Sequence, residues 1–224
     1  FIDDDNYLRN EFQLHKMLSD FNESIGVMGM TACYDDKKQI VADGGSHRFY
    51  LSGFTSGCRT NYPLWDKTGP YGNADYTKLY DVDEVANAFM IRRDVFEEAG
   101  GFDEKNFPID LDEADLCKKI KDMGYRIVMN PGAVCYHKSN TYSAWPNFRR
   151  EMNAYCMGRH RVVFQRIWNN RLRYGVYLVF FMPLFVVFYV ASLSFRRNTK
   201  MILPFLKGVL DGVLCRKEHP YRKV

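Results

Sequence analysis

Between Gly175 and Phe195 the chain runs for 21 residues, GVYLVFFMPLFVVFYVASLSF, without one charged side chain. No other feature narrows the possible folds so far. At about 1.5 Å per residue, such a helix covers roughly the 30 Å of a bilayer's hydrocarbon. A buried core helix is the competing reading, and core helices seldom run that far without a charge. Pro183, near the middle, predicts a kink rather than a break. Basic residues flank the run on both sides, so the positive-inside bias picks no orientation for a single crossing. A hairpin, a re-entrant pair or an in-plane helix keeps both flanks at the cytoplasmic face, where anionic lipid attracts each Lys or Arg by about 1 kcal/mol. That arrangement is the one expected.

Charge divides along the same line. Residues 1–148 hold 16 Lys and Arg against 24 Asp and Glu, and residues 149–224 hold 15 against 3, so a net charge of +4 conceals an acidic body and a basic tail. In the tail, Phe148, Met152, Tyr155, Cys156, Val163 and Ile167 recur at helical spacings amid Arg149, Arg150, Arg159, Arg161 and Arg166, which predicts a basic amphipathic helix leading to the membrane. Met201–Leu214, interrupted by Lys207 and Asp211, is too short and too polar to span. The expected organisation is a body over 1–145, a basic helix over 146–173, and a membrane helix with a short interfacial or re-entrant helix over 174–224. Tail arginines interleaved with apolar sequence point to membrane lipids rather than nucleic acid. Six cysteines, Cys33, Cys58, Cys117, Cys135, Cys156 and Cys215, form no C-x-x-C pair and read as reduced thiols in a cytosolic setting.

The body alternates strand-like and helix-like segments, which argues for an α/β layer. Residues 10–21 carry Phe12, Leu14, Met17, Leu18 and Phe21 at helical spacing, and Ile25–Met30 reads as a short buried strand. Tyr34–Tyr80 has no sustained period and reads as a long loop with a short hairpin. Val85–Ile91 is strand-like. Asp94 and Glu97 match a capping box for a helix over 95–99 that Gly100 stops. Leu116, Ile120 and Met123 predict the next helix, with Gly124 as its stop, and Arg126–Met129 and Ala133–Tyr136 read as strands joined by an Asn130-Pro131-Gly132 turn.

Four sets of residues suit chemistry. Asp3-Asp4-Asp5 contains D-x-D, two carboxylates on one side of an extended loop, which suits Mg²⁺ or Mn²⁺ bridging to a diphosphate. Asp81-Val82-Asp83 and Asp110-Leu111-Asp112 match the pattern too, and a solvated acidic turn explains it equally, so context must decide. Asp110, Asp112, Glu113 and Asp115 crowd one helix mouth, where they are either caps complementing the helix dipole or the setting of a general base. His137 ends a strand and completes a metal site only if the fold sets it beside Asp5. Arg92 and Arg93 form a solvated strand end or face a diphosphate.

Phe89-Met-Ile-Arg-Arg93, Gly100-Gly101-Phe102-Asp103-Glu104, Asp112-Glu-Ala-Asp-Leu116, Gly124-Tyr125-Arg126 and Pro131-Gly132-Ala133 leading to Tyr136-His137 resemble, in order and spacing, the family 2 glycosyltransferases of GT-A fold, especially rhamnosyltransferase-like members. The resemblance covers about Phe1 to His137. It implies the C-terminal part of a GT-A fold and metal-dependent, inverting transfer of a sugar from a nucleotide-diphosphate donor to a glycan or lipid-linked acceptor, at the cytoplasmic face of the cell membrane. By that likeness Asp5 and Asp3 ligate Mg²⁺ or Mn²⁺, Asp3 also sits near the nucleotide, His137 adds a ligand, and Glu113 is the base. The family's acidic pair is Glu-Asp; here it is Asp112-Glu113, so Asp112 remains a candidate for the same task. The family's nucleoside-binding half precedes the D-x-D, and with Phe1 opening the sequence the expectation is a fragment lacking that half and inactive by itself. A membrane-anchored binding module that keeps the acids as caps is the alternative from another class. A processive polysaccharide synthase is a third reading, and its usual Q-x-x-R-W motif does not occur.

Overall fold

A computed structural model describes residues 1–34, 40–42, 45–57, 77–86, 88–138 and 146–216. The chain is mixed α/β and divides into two compact units. The first comprises Phe1–Arg48, Thr55–Phe102 and Glu113–Asn140; the second comprises Phe49–Phe54, Asp103–Asp112 and Thr141–Val224.

In the first unit the chain order is β1 (Asn6–Tyr7), α1 (Phe12–Asp20), β2 (Ile25–Tyr34), β3 (Ile40–Ala42), β4 (Gly45–Phe49), β5 (Phe54–Gly57), β6 (Tyr80–Asp81), β7 (Glu84–Val85), β8 (Phe89–Ile91), α2 (Arg93–Glu98), α3 (Asp112–Asp122) and β9 (Arg126–His137). At the centre, β2 runs parallel to β9; β1 and β6 join β9, and β3 and β8 join β2, all antiparallel. Side chains alternate across this sheet because successive Cβ atoms point to opposite faces. Val27, Ile127 and Met129 pack with Leu116 and Ile120 of α3, while Met28, Met30, Val128 and Cys135 pack with Met17 of α1. A helix layer therefore covers each face of an incomplete sheet.

Both glycine stops act as expected. After α2, Gly100 takes φ +75°, its N–H bonds the Glu97 carbonyl, and Gly101 N–H reaches back to Phe96. After α3, Gly124 at φ +96° and Tyr125 repeat the scheme on Lys121 and Ile120. This double closure needs a left-handed residue, which glycine adopts without a Cβ penalty.

Two local expectations are corrected. The residue preceding α2 is Arg92, which makes no side-chain cap; Asp94 lies inside the first turn and pairs with Arg92 instead of closing a capping box. Asn130-Pro131-Gly132 is not a turn between two strands. β9 is continuous, and its register against β2 jumps from Met30↔Asn130 to Thr31↔Val134, so the three residues 131–133 form a bulge. Pro131 has no N–H to give a ladder, which suits it to a bulge. Asn130 is buried; its amide donates to Asp20 at 2.8 Å and its carbonyl oxygen accepts Gly132 N–H at 3.0 Å. Most of the long loop expected over Tyr34–Tyr80 lies outside the described residues, as do Cys58, Asn87 and Trp145; its described parts hold β3, β4 and β5.

The second unit contains α4 (Asn147–Trp168), α5 (Arg171–Val176), a π-helical turn (Tyr177–Phe181), α6 (Met182–Phe195) and, after a short 3₁₀ turn, α7 (Ile202–Val213). The disturbance expected from Pro183 takes the form of the π turn: Pro183 cannot donate and its ring crowds the carbonyl four residues back. Arg171–Phe195 forms one continuous helical run of 25 residues, long and apolar enough to cross a membrane by length and composition; only 22% of its most apolar stretch is buried, unlike a soluble core helix. The basic amphipathic reading of α4 is corrected. Its middle is buried on every side, Arg159 and His160 included, while Phe148 and Ile167 are exposed. α7 lies against it backbone to backbone: a Cβ on Gly208 would stand 2.1 Å from the Tyr155 carbonyl oxygen, and one on Gly158 2.4 Å from that of Phe205.

Candidate functional site

The acidic loop and the end of β9 come together through strand pairing. In the antiparallel ladder of β1 and β9, Asn6 stands opposite His137, and Lys138 N–H donates to the Asp5 carbonyl at 2.8 Å. Consequently His137 Nε2 lies 3.4 Å from Asp5 Oδ2, both side chains being mostly buried. The turn before β1 closes through Asn6 N–H on the Asp3 carbonyl at 3.0 Å, and Asp3 is exposed. Among the described residues no three His, Cys, Asp or Glu side chains gather to hold a metal ion. The expected three ligands are thus a pair, Asp5 and His137, with Asp3 on the adjoining turn. A carboxylate oxygen and an imidazole nitrogen suit Mn²⁺, or less well Mg²⁺, provided that substrate phosphates and water complete the shell, as hard cations at diphosphate sites commonly allow.

The competing D-x-D at Asp81 and Asp83 is structural. Asp81 pairs with Arg126 at 2.8 Å. Asp83 binds Lys121 and accepts the Arg48 N–H at 2.8 Å. Burial pushes the Asp83 carboxyl up, but Lys121 and the Arg48 amide hold it below its ordinary value overall. Arg93 opens α2, pairs with Glu97 at 2.8 Å and is 91% exposed; among the described residues it is also the one charged side chain lining an apolar cavity of about 520 Å³ that includes Phe1, Leu14, Met30 and Phe89.

At the mouth of α3 the four acids separate. Asp115 is buried and pairs with Lys119 at 2.8 Å, one helical turn on. Asp112 and Glu113, the first two residues of α3, are half-buried. Asp110 and Leu111 precede them with φ of +64° and +66°. Left-handed backbone costs a residue with a Cβ about 1–2 kcal/mol, and such strain persists where surroundings enforce it, often at functional sites. Nothing in the residue pattern announces that strain, because Asp-Leu is not a left-handed signature.

Sequence reasoning also missed residues that the fold buries and binds. Asn130 reads as part of a turn, Arg159 as one of the arginines of a basic amphipathic helix, and His160 carries no signal of its own. The glycine at position 158, inside a helical period, was the available signal of close packing there. Burial pushes the thiols of Cys117, Cys135 and Cys156 up to about 12, so these three are not thiolate nucleophiles at neutral pH.

No family model matches the chain. Its sequence is 31% identical over 76 residues to an uncharacterized protein, y4gI, of Sinorhizobium fredii. That similarity takes in 31% of this chain, which spans only 8% of the relative's length.

Proposed function

We propose that the chain belongs to an inverting, metal-dependent glycosyltransferase of the family 2 type, built on a GT-A fold. It moves a sugar from a nucleotide-diphosphate donor to a glycan or lipid-linked acceptor at the cytoplasmic face of the cell membrane. The observation that carries this reading is the ladder of β1 and β9, which sets Asp5 3.4 Å from His137. The two residues come from opposite ends of the 1–138 region.

In this reading Asp5 and His137 would hold Mn²⁺ or Mg²⁺, with Asp3 beside them, and the ion so held would supply positive charge against the departing nucleoside diphosphate. Asp112 or Glu113 takes the proton of the acceptor hydroxyl as its oxygen bonds the anomeric carbon and the carbon–phosphate-oxygen bond breaks on the opposite side, which inverts the centre. Arg93 supplies a cation for the diphosphate. The exposed apolar helix over 171–195 anchors the protein to the membrane.

The deciding measurement is release or transfer of labelled sugar from a panel of nucleotide sugars, with Mn²⁺ or Mg²⁺ and with chelator. Metal-dependent turnover that Asp5→Ala abolishes is the expected result. No turnover by the full-length protein in lipid with any donor defeats the reading. A membrane-anchored binding module is favoured by one observation, the Asp115–Lys119 pair, in which an acid of the cluster serves the helix itself; that module would bind without turning over.

A further inference from the structure

We propose that Arg159 and His160 of α4 are positioning residues that hold the 103–112 segment and so set where the Asp112 carboxylate enters α3. The proposal rests on the transferase reading for what Asp112 does there. Segment 103–112 contributes no strand, and apart from Asp112 no helical residue, so its backbone polar groups need partners from elsewhere. The first part closes on itself: Asp103 accepts Asn106 N–H at 3.0 Å and Asn106 Nδ2 at 2.7 Å. Phe107 N–H likewise returns to the Asp103 carbonyl at 2.8 Å, while two carbonyls of the segment are met from α4. The Asn106 carbonyl accepts Arg159 Nη1 at 3.0 Å, and the Asp110 carbonyl lies 3.2 Å from His160 Nδ1. A carbonyl can only accept, so Nδ1 carries the proton. Between the two held carbonyls, the buried Phe107 ring stands edge-on to His160 at 5.7 Å and 6.0 Å from Phe164.

Arg159, His160 and Phe164 are 3%, 0% and 1% exposed, burial that a helix merely presenting a basic face to lipid has no use for. What they secure is the chain immediately before the acids. His160 holds the carbonyl of Asp110, the first of two successive left-handed residues, and the second leads directly into Asp112. Backbone in that conformation relaxes when its flank is released, and the carboxylate that follows moves with it. A displacement of about 1 Å in a catalytic group can cost roughly a hundredfold in rate.

The test uses the full-length protein in lipid nanodiscs as wild type, His160→Leu, which removes the donor, and His160→Asn, which keeps an N–H near the Nδ1 position. Amide hydrogen exchange of 103–116 and of α4 is read together with kcat and KM for the nucleotide-sugar donor. His160→Leu is expected to speed exchange at 106–113 about tenfold or more, with α4 unchanged, and to lower kcat roughly a hundredfold at unaltered donor KM; His160→Asn restores both. Unchanged exchange at 106–113 in the Leu variant, faster exchange spread through α4, loss appearing in KM rather than kcat, or no recovery in the Asn variant overturns the proposal. If His160→Leu does not fold, Arg159→Lys is read in the same way. Should the wild type turn over no donor, the transferase reading falls, while exchange alone still decides whether the hold on 106–113 exists.

Discussion

Asp115 pairs with Lys119 and is buried, whereas Asp112 and Glu113 are half-buried, so the acids at one helix mouth have different work. Asp115→Asn removes the buried carboxylate that pairs with the partly exposed Lys119 ammonium, which also donates to the Gly101 carbonyl at 3.3 Å, and is expected to lower stability by about 1–3 kcal/mol, read by urea unfolding, as a charge-assisted hydrogen bond is lost. Asp112→Asn or Glu113→Gln is expected to leave unfolding unchanged and lower turnover by roughly 10²–10⁴ for whichever carboxylate takes the proton. Wild-type turnover in both variants removes the base assignment. The acids as a group were legible because their spacing matches caps and catalytic mouths alike. Which one faces inward was not, since that depends on the left-handed backbone at Asp110 and Leu111 and on Lys119 reaching back along α3.

Helix ends were readable at the scale of elements because a left-handed stop needs glycine, and Gly100 and Gly124 are where the chain reverses. The bulge in β9 was not, because Asn130-Pro131-Gly132 has turn chemistry and only the neighbouring β2 keeps the strand going. Asn130→Leu loses the bonds to Asp20 and Gly132 and is expected to cost about 2–4 kcal/mol, measured by denaturant midpoint, as two buried bonds go unmade. The crossing of α4 and α7 yields a paired prediction. Gly208→Ala puts a methyl against the Tyr155 carbonyl and should destabilise by about 1–3 kcal/mol, as overpacking does. Gly175→Ala, in α5 with nothing within 4 Å, should stabilise by about 0.5–1 kcal/mol through the lower entropy of alanine. Thermal unfolding of both variants in the same lipid tests the contrast.

For the molecule as a whole, acid and membrane are the informative perturbations. Burial pushes the Asp20 carboxyl up, but Lys16 and Asn130 pull it below 3.8 overall, and Lys121 and Arg48 do the same for Asp83. A carboxyl whose pKa is lower when folded stabilises fully above its unfolded value and loses that contribution as pH falls through the folded one. Urea midpoints are therefore expected to hold down to about pH 4 and to decline below it, and Asp83→Asn should flatten the decline. Cys215 is exposed beyond α7 and serves as a topology probe in a Cys58→Ser background: an impermeant maleimide should reach it from the cytoplasmic side, and labelling only from the other side would overturn the hairpin or in-plane arrangement. By itself the sequence determined the α/β alternation, the apolar helix and the glycine stops, because those follow from local periodicity and side-chain type. Tertiary structure alone decided that β1 pairs with β9 and sets Asp5 beside His137, that Asp81 and Asp83 are spent on ion pairs, and that Arg159 and His160 turn inward. Each of these depends on partners distant in the chain, and no local pattern encodes which distant partner a polar group will meet.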